Sequence, residues 1–226
     1  VDGIIVSMAK EKNDYKHFVK ARQANMPIVF FDRANDDLSI DSVLIDDFKG
    51  GYIATTHLIE QGYKRIAHIT GPKHLKIFKA RLDGYKKALQ SKGLKFNPTY
   101  IFEGDVSIDA GRNAIQYFLK LANPPDAVFA VEDFTALGVI KELKLNKIAI
   151  PQEFGVIGFA NENFGEHISP SLSTIDQQTV NMGIEAFSLI VKLIEQKSNK
   201  NNIVQKEILE PIPVFRTSSL KTVHHP

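Results

Sequence analysis

Short runs of Val, Ile and Phe recur along the chain at 3–6, 28–31, 42–45, 66–70, 100–102, 127–130 and 156–159. Continuous apolar runs of this length suit strands covered on both faces, as in a parallel sheet; a half-solvated strand would alternate. Between most of them, apolar residues fall at helical spacing, over 13–24, 49–61, 75–92, 108–121 and 133–143. This alternation predicts an α/β, doubly wound architecture. A further long helix is predicted over 178–196, where Val180, Ile184, Phe187, Val191 and Ile194 form one apolar stripe expected to pack on a sheet. Gly62, Gly71 and Gly93 stand where a helix or strand must stop, and Pro124, Pro125 and Pro151 open loops bound for strands. The polar tract KSNKNN at 197–202 reads as a solvated turn, and 208–213 with Phe215 as a last extended piece. No internal repeat or C-terminal heptad pattern is visible.

Composition narrows the function classes. With 226 residues, 43% of them hydrophobic, the chain can build one large core or two smaller ones. Lys and Arg total 28 against 26 Asp and Glu, and a net charge of +2 gives little attraction for a polyanion, so the chain itself is not expected to grip DNA. The absence of cysteine excludes disulfides, thiolate nucleophiles and cysteine-based metal sites, and fits a reducing cytoplasm. No apolar run approaches the ~18 residues of a membrane span. The opening VDGIIV lacks the pattern of a signal peptide. Followed by an amphipathic segment, it reads as the middle of a strand and helix series, so the chain is expected to be a fragment of a longer one.

In open parallel sheets, ligands bind beyond the carboxyl ends of the strands. The residues that follow each apolar run are therefore the candidate site. They are Asp32 and Arg33 after 28–31; Gly71, Pro72 and then Phe78 and Arg81 after 66–70; and Glu103 and Asp105 after Phe102. Glu132 and Asp133 follow 127–131, and Ala160, Asn161 and Glu162 follow Phe159. Carboxylates, an amide and guanidinium groups match vicinal hydroxyls of a sugar or the polar edge of a similar small molecule, and phenyl faces can stack on its apolar side. Each residue alone has a plainer reading. Asp32, Asp105 and Asp133 could cap helices, Arg81 could be a surface ion-pair partner, and Phe78 and Phe159 could be core. Their recurrence at the same end of successive strands favours a site. Catalysis has weaker support. The seven histidines, among them His57, His68, His74, His224 and His225, show no metal-ligand spacing. GxSxG, GxxxxGK[ST] and GxGxxG motifs are absent. The expectation is a binding protein with no enzymatic activity, no cofactor and no metal.

Six strings then carry a family resemblance: VDGIIV at 1–6, PIVFFDR at 27–33, GGYIATTHLIEQGYKRIAHITGP at 50–72, RLDGYKKAL at 81–89, FAVEDFTALGV at 129–139 and VIGFANENFGEHISPSLSTIDQ at 156–177. In this order and spacing, over nearly the whole chain, they resemble the LacI/GalR family of transcriptional regulators. The resemblance implies an effector-binding core of the type I periplasmic-binding-protein fold: two Rossmann-like lobes with parallel sheets flanked by helices, joined by a three-crossover hinge, with a small ligand in the cleft. It places 1–45 and 176–209 in an incomplete N-terminal lobe, 46–175 and 210–220 in a C-terminal lobe, and 221–226 in a tail. A helix-turn-helix module, a hinge helix and the first strand and helix units of the core are expected to be missing upstream.

The same resemblance implies site roles. The cleft arginine of the RLxGY string falls on Arg81, the acidic residue ending PxVxxD on Asp32, and the polar pair of AxND on Glu132 and Asp133. Glu132 departs from the usual Asn. Val106 and Ile77 replace an aromatic and a small polar residue. Ala160 stands where relatives with GFDD or GYDN present a ligand-clamping Asp, and Asn161 follows it. Taken together, these positions imply a cytoplasmic homodimer in which a small-molecule effector, a sugar or derivative, drives lobe closure and so controls operator DNA binding through the missing module, with no membrane contact. The alternative carried alongside is a periplasmic sugar-binding protein of a transporter.

Overall fold

The computed structural model describes residues 1–9, 15–195 and 204–221. The tract at 197–202, His224 and His225, most of the 221–226 tail and the first residues of the helix expected from 13 lie outside the described residues. In chain order the strands are β1 (Ile4–Val6), β2 (Ile28–Phe31), β3 (Asp41–Ile45), β4 (Ile66–Thr70), β5 (Ile101–Glu103), β6 (Ala127–Ala130), β7 (Gly155–Ile157), β8 (Thr174–Asp176), β9 (Lys206–Leu209) and β10 (Ile212–Val214). The α-helices are α1 (Lys16–Gln23), α2 (Asp47–Glu60), α3 (Lys76–Ser91), α4 (Ile108–Phe118), α5 (Asp133–Leu145) and α6 (Thr179–Glu195). The chain divides into two compact units, Val1–Asp46 with Gln178–Glu210 and Asp47–Gln177 with Pro211–Pro226, and passes between them three times.

The first unit holds an all-parallel sheet in the order β1-β2-β3-β9. On one face Met8, Ile28, Phe30 and Ile40 form the core, joined by Phe18 of α1, whose ring meets that of Phe30 edge-on at 5.1 Å. The other face carries α6, and here the pattern expected from the sequence is corrected. Val180, Ile184 and Phe187 are 75%, 56% and 64% exposed, whereas Met182, Ala186, Leu189 and Ile190 are buried. Ile194, also in the expected stripe, does lie close to β1 at Gly3, beside Ile190. This helix is apolar on two faces, and spacing alone fits either one. The sheet takes the face on which consecutive turns offer Met182, Ala186 and Leu189.

The second unit has an all-parallel sheet in the order β5-β4-β6-β7, with β10 antiparallel on β8. Every residue of β4 and β6 is buried, which is why β6 reads as an unbroken apolar run and β4 as one interrupted only by the buried His68 and closed by Thr70. Their side chains pack with Ala114, Ile115 and Phe118 of α4 and Val139, Ile140 and Leu143 of α5. Helix α2 stops at Gly62, whose φ of +87° is a left-handed cap that costs glycine no steric penalty. Helices α2 and α3 cross at contact distance, because a Cβ on Gly84 would stand 2.1 Å from the Phe48 carbonyl oxygen. That crossing brings Arg81 to the first turn of α2.

The C-terminal extended piece expected as one element is two. Strand β9 joins the first unit's sheet and β10 pairs in the second, with the change of unit between Glu210 and Pro211. Strand β8 has no counterpart among the expected strands, since LSTIDQ has no continuous apolar run.

Candidate functional site

At the carboxyl edge of the second unit's sheet, α3, the first turn of α2 and the end of β6 meet on one side chain. Arg81 donates from Nε to Asp47 Oδ1 at 2.7 Å and from Nη1 to the Val131 carbonyl at 2.7 Å. Its guanidinium carbon lies 3.5 Å from the centroid of the Phe159 ring and 5.9 Å from that of Phe78. Phe78 and Phe159 are 2% and 0% exposed, so neither ring offers the open stacking face expected from the sequence; Arg81 occupies the face of Phe159. Asp47 is absent from the sequence candidates although it follows the 42–45 run, a strand whose end the candidate set omits. Applied there, the same strand-end rule finds it.

One residue beyond Val131, Glu132 is the N-cap of α5, its carboxylate accepting from the Phe134 backbone N–H at 3.1 Å. Burial, and then the neighbouring Asp133 charge, push its carboxyl up to about 7. Near neutral pH this group is therefore divided between a form that only accepts hydrogen bonds and one that also donates. Asp133 is fully buried and committed to the protein. Its oxygens accept from Thr174 Oγ1 and the Glu162 backbone N–H, each at 2.8 Å, which ties the loop after β7 to β8. Burial raises its carboxyl to about 6, and these hydrogen bonds hold it from rising further.

Ala160 adopts φ +123° and donates its N–H to the Ile175 carbonyl at 2.8 Å. Asn161 follows at φ +60°, another backbone conformation that L-residues seldom take. Its side-chain amide is used at both ends: Nδ2 donates to Asp176 Oδ2 at 2.9 Å and Oδ1 accepts from Arg216 Nη2 at 3.1 Å. Arg216 also donates to the Leu172 carbonyl at 2.8 Å. Arg216 is absent from the sequence candidates although it directly follows Phe215, the end of the last extended piece; its strand, β10, is antiparallel, and the strand-end rule concerns parallel strands.

The candidate residues of the first unit form their own cluster. Arg33 donates to Asp32 Oδ2 at 3.0 Å and to the Met8 carbonyl at 2.6 Å, and Ser7 Oγ donates to Asp32 Oδ2 at 3.4 Å. Asp32 sits at φ +59°. Glu103 and Asp105 have local partners instead: Lys73 at 2.7 Å and Ser107 Oγ at 3.0 Å.

The strand ends of the second unit thus carry charged and amide groups held by protein partners, and among them Glu132 is a half-buried carboxyl group. His57 Nε2 and Ser219 Oγ are 2.7 Å apart, but both are buried, and burial lowers the His57 pKa to about 4. That pair holds the C-terminal segment to α2, where Phe215 stacks on the His57 ring at 3.7 Å. Among the described residues no group of three or more His, Cys, Asp or Glu could hold a metal ion, and no helix is long and apolar enough to cross a membrane.

Comparison with known proteins adds the following. Residues 55–219 match the model of a family described as a periplasmic binding protein-like domain. The chain is 29% identical over 218 residues to the HTH-type transcriptional repressor PurR of Aliivibrio salmonicida (strain LFI1238), a match covering 96% of the chain and 64% of that protein. It is 36% identical over 170 residues to the HTH-type transcriptional repressor CytR of Escherichia coli (strain K12), covering 75% of the chain and 50% of the repressor. The solved complex of the transcriptional regulator CelR with cellobiose superposes with a TM-score of 0.86 at 29% identity, over 96% of this chain and 66% of that one. The chain thus spans less than two thirds of the length of these curated relatives.

Proposed function

Because this chain belongs to the periplasmic binding protein-like domain family, we propose that it is the effector-binding core of a LacI-type transcriptional regulator. The observation that carries this reading is the polar face at the carboxyl edge of the second unit's sheet. There Arg81 and Asp133 are locked to protein partners, while Glu132 keeps acceptor capacity at a half-buried position. The named similarity to repressors supports regulation over service to a transporter.

The effector is a small hydroxylated molecule, a sugar or derivative, in keeping with the complex of the similar regulator CelR with cellobiose. Its hydroxyls would donate to Glu132, with Arg81, Asp133 and Asn161 supporting the backbone around it; Asp32 and Arg33 are proposed as ligand-binding residues on the strength of the family resemblance. Binding is not followed by chemical conversion. The effector acts by differential affinity for two arrangements of the units, the only way a ligand can shift such an equilibrium. In the whole protein this shift would control operator DNA binding by a module outside this sequence, within a cytoplasmic homodimer.

The test is a thermal-shift screen of mono- and disaccharides, sugar phosphates, nucleosides and nucleobases against the whole protein, since a ligand that binds only the native state raises apparent stability. The expected result is at least one stabilising compound that is recovered chemically unchanged. A folded protein stabilised by none of them, or a compound consumed during incubation, contradicts the reading.

A further inference from the structure

We propose that the groove between the start of α2 and the second half of α3 docks an acidic peptide segment of another protein, at a surface separate from the effector site. Residues 73–95 carry seven lysines and Arg81 against one acidic residue, Asp83, in a chain whose net charge is only +2. Arg81 is turned inward, so the surface charge of this stretch is lysine. Lys73, Lys86 and Lys92 are paired with Glu103 at 2.7 Å, Asp83 at 3.5 Å and Glu60 at 2.8 Å. Lys79, Lys87 and Lys95 are exposed, with no ion-pair partner among the described residues.

On this stretch lies a cavity of about 560 Å³ walled by Phe48, Leu94 and Phe96 and edged by Lys86, Lys87, Gln90 and Asp83, the last of which is paired with Lys86. Phe48 and Phe96 are 43% and 44% exposed, so two large rings are left open on one groove. The frame is rigid. The close crossing at Gly84 fixes Phe48 at the rim, and Phe96 packs edge-on against Tyr85 at 6.5 Å. Tyr85 is fully buried, with its hydroxyl donating to the Ile66 carbonyl at 2.8 Å. Lys86 Nζ stands 5.7 Å from the Phe96 ring centroid, so charge and ring face the same space.

The two halves of this surface ask for different chemistry in one occupant. Apolar walls are satisfied by an aromatic or aliphatic anchor, and the unpaired ammonium group of Lys87 at the edge, with that of Lys95 next to Phe96 in the chain, by carboxylates; an acidic amphipathic peptide supplies both at adjacent turns. Duplex DNA would answer the lysines through its phosphates but has nothing to fill the space between Phe48, Leu94 and Phe96.

The test pans a displayed library of random peptides against the whole protein. Recovered peptides are then titrated by fluorescence anisotropy into wild type, Phe48→Ala/Phe96→Ala and Lys86→Glu/Lys87→Glu, with a random-sequence DNA duplex as competitor. All four substituted side chains are exposed, and an unchanged melting temperature checks that each variant folds. The expected peptides carry Asp or Glu around an aromatic or leucine anchor, bind in the micromolar range, weaken with salt and lose about tenfold or more in affinity with either double variant. Recovery of no peptide, recovery of peptides without acidic residues, binding indifferent to both variants, or displacement by duplex DNA with the same dependence on the lysines would each overturn the proposal.

Discussion

Nε of Arg81 lies 2.7 Å from Oδ1 of Asp47, and the two side chains are 3% and 9% exposed. An ion pair this deeply buried makes Arg81 a structural anchor of the strand-end face. Arg81→Ala removes the cationic partner of the buried Asp47 carboxylate and should cost about 3–5 kcal/mol in urea unfolding, whereas Asp47→Leu/Arg81→Met should recover most of it. A loss below about 1 kcal/mol for the single variant, the range of exposed pairs, would contradict the geometry.

Glu132 and Asp133 have folded-state pKa values of about 7 and about 6, above their ordinary 4.5 and 3.8. The folded protein therefore holds these protons more tightly than the unfolded chain, and stability is lost as pH rises from the unfolded values through the folded ones. His57 and His68 act oppositely. Burial lowers them from 6.5 to about 4 and about 3, so folding is opposed as pH falls below 6.5. The wild-type profile mixes both signs, and Glu132→Gln separates them. Measured by chemical denaturation, the variant should gain stability relative to wild type as pH rises from 4.5 to about 7, then level off. A difference independent of pH would remove the Glu132 contribution.

Ala160 holds φ +123°, which glycine adopts freely and alanine does not. Relief of about 1–3 kcal/mol of backbone strain should exceed the ~0.5–1 kcal/mol entropic penalty of glycine, so Ala160→Gly is expected to raise stability by about 1 kcal/mol. A lower melting temperature in the variant would show that this backbone is relaxed.

Helix α6 offers a test of which apolar face is core. In this 226-residue chain Leu189→Ala and Ile190→Ala should each cost about 2–5 kcal/mol, and Ile184→Ala and Phe187→Ala no more than about 0.5 kcal/mol. The reverse order would restore the face expected from spacing.

These cases show what the sequence exposes and what it hides. Strands β2 and β6 are legible because they are covered on both sides, which keeps their apolar runs unbroken, and β4 is legible despite its buried His68 and Thr70 because Ile66, Ala67 and Ile69 keep it mostly apolar. The buried face of α6 is not legible, since burial there is decided by the sheet beneath and not by the period. At the strand ends, residue type and position do select Arg81, Glu132 and Asp133. Their partners Asp47, Thr174 and Val131 come from other elements, so only tertiary structure reveals that Arg81 and Asp133 are committed to the protein. Asn161 is a further case: its amide binds Asp176 and Arg216 through one N–H and one oxygen lone pair, so a role as substitute for a missing carboxylate would fall to its second N–H and second lone pair.

The effector-binding claim is tested most directly by calorimetric titration of the whole protein with the best stabilising compound of the thermal screen, in wild type and Glu132→Ala. The expected result is saturable binding to wild type at one site per chain and loss of about tenfold or more in affinity in the variant, whose cooperative thermal unfolding checks that it is folded at the titration temperature. Equal affinity in a folded Glu132→Ala protein would contradict the placement of the effector at this strand-end face.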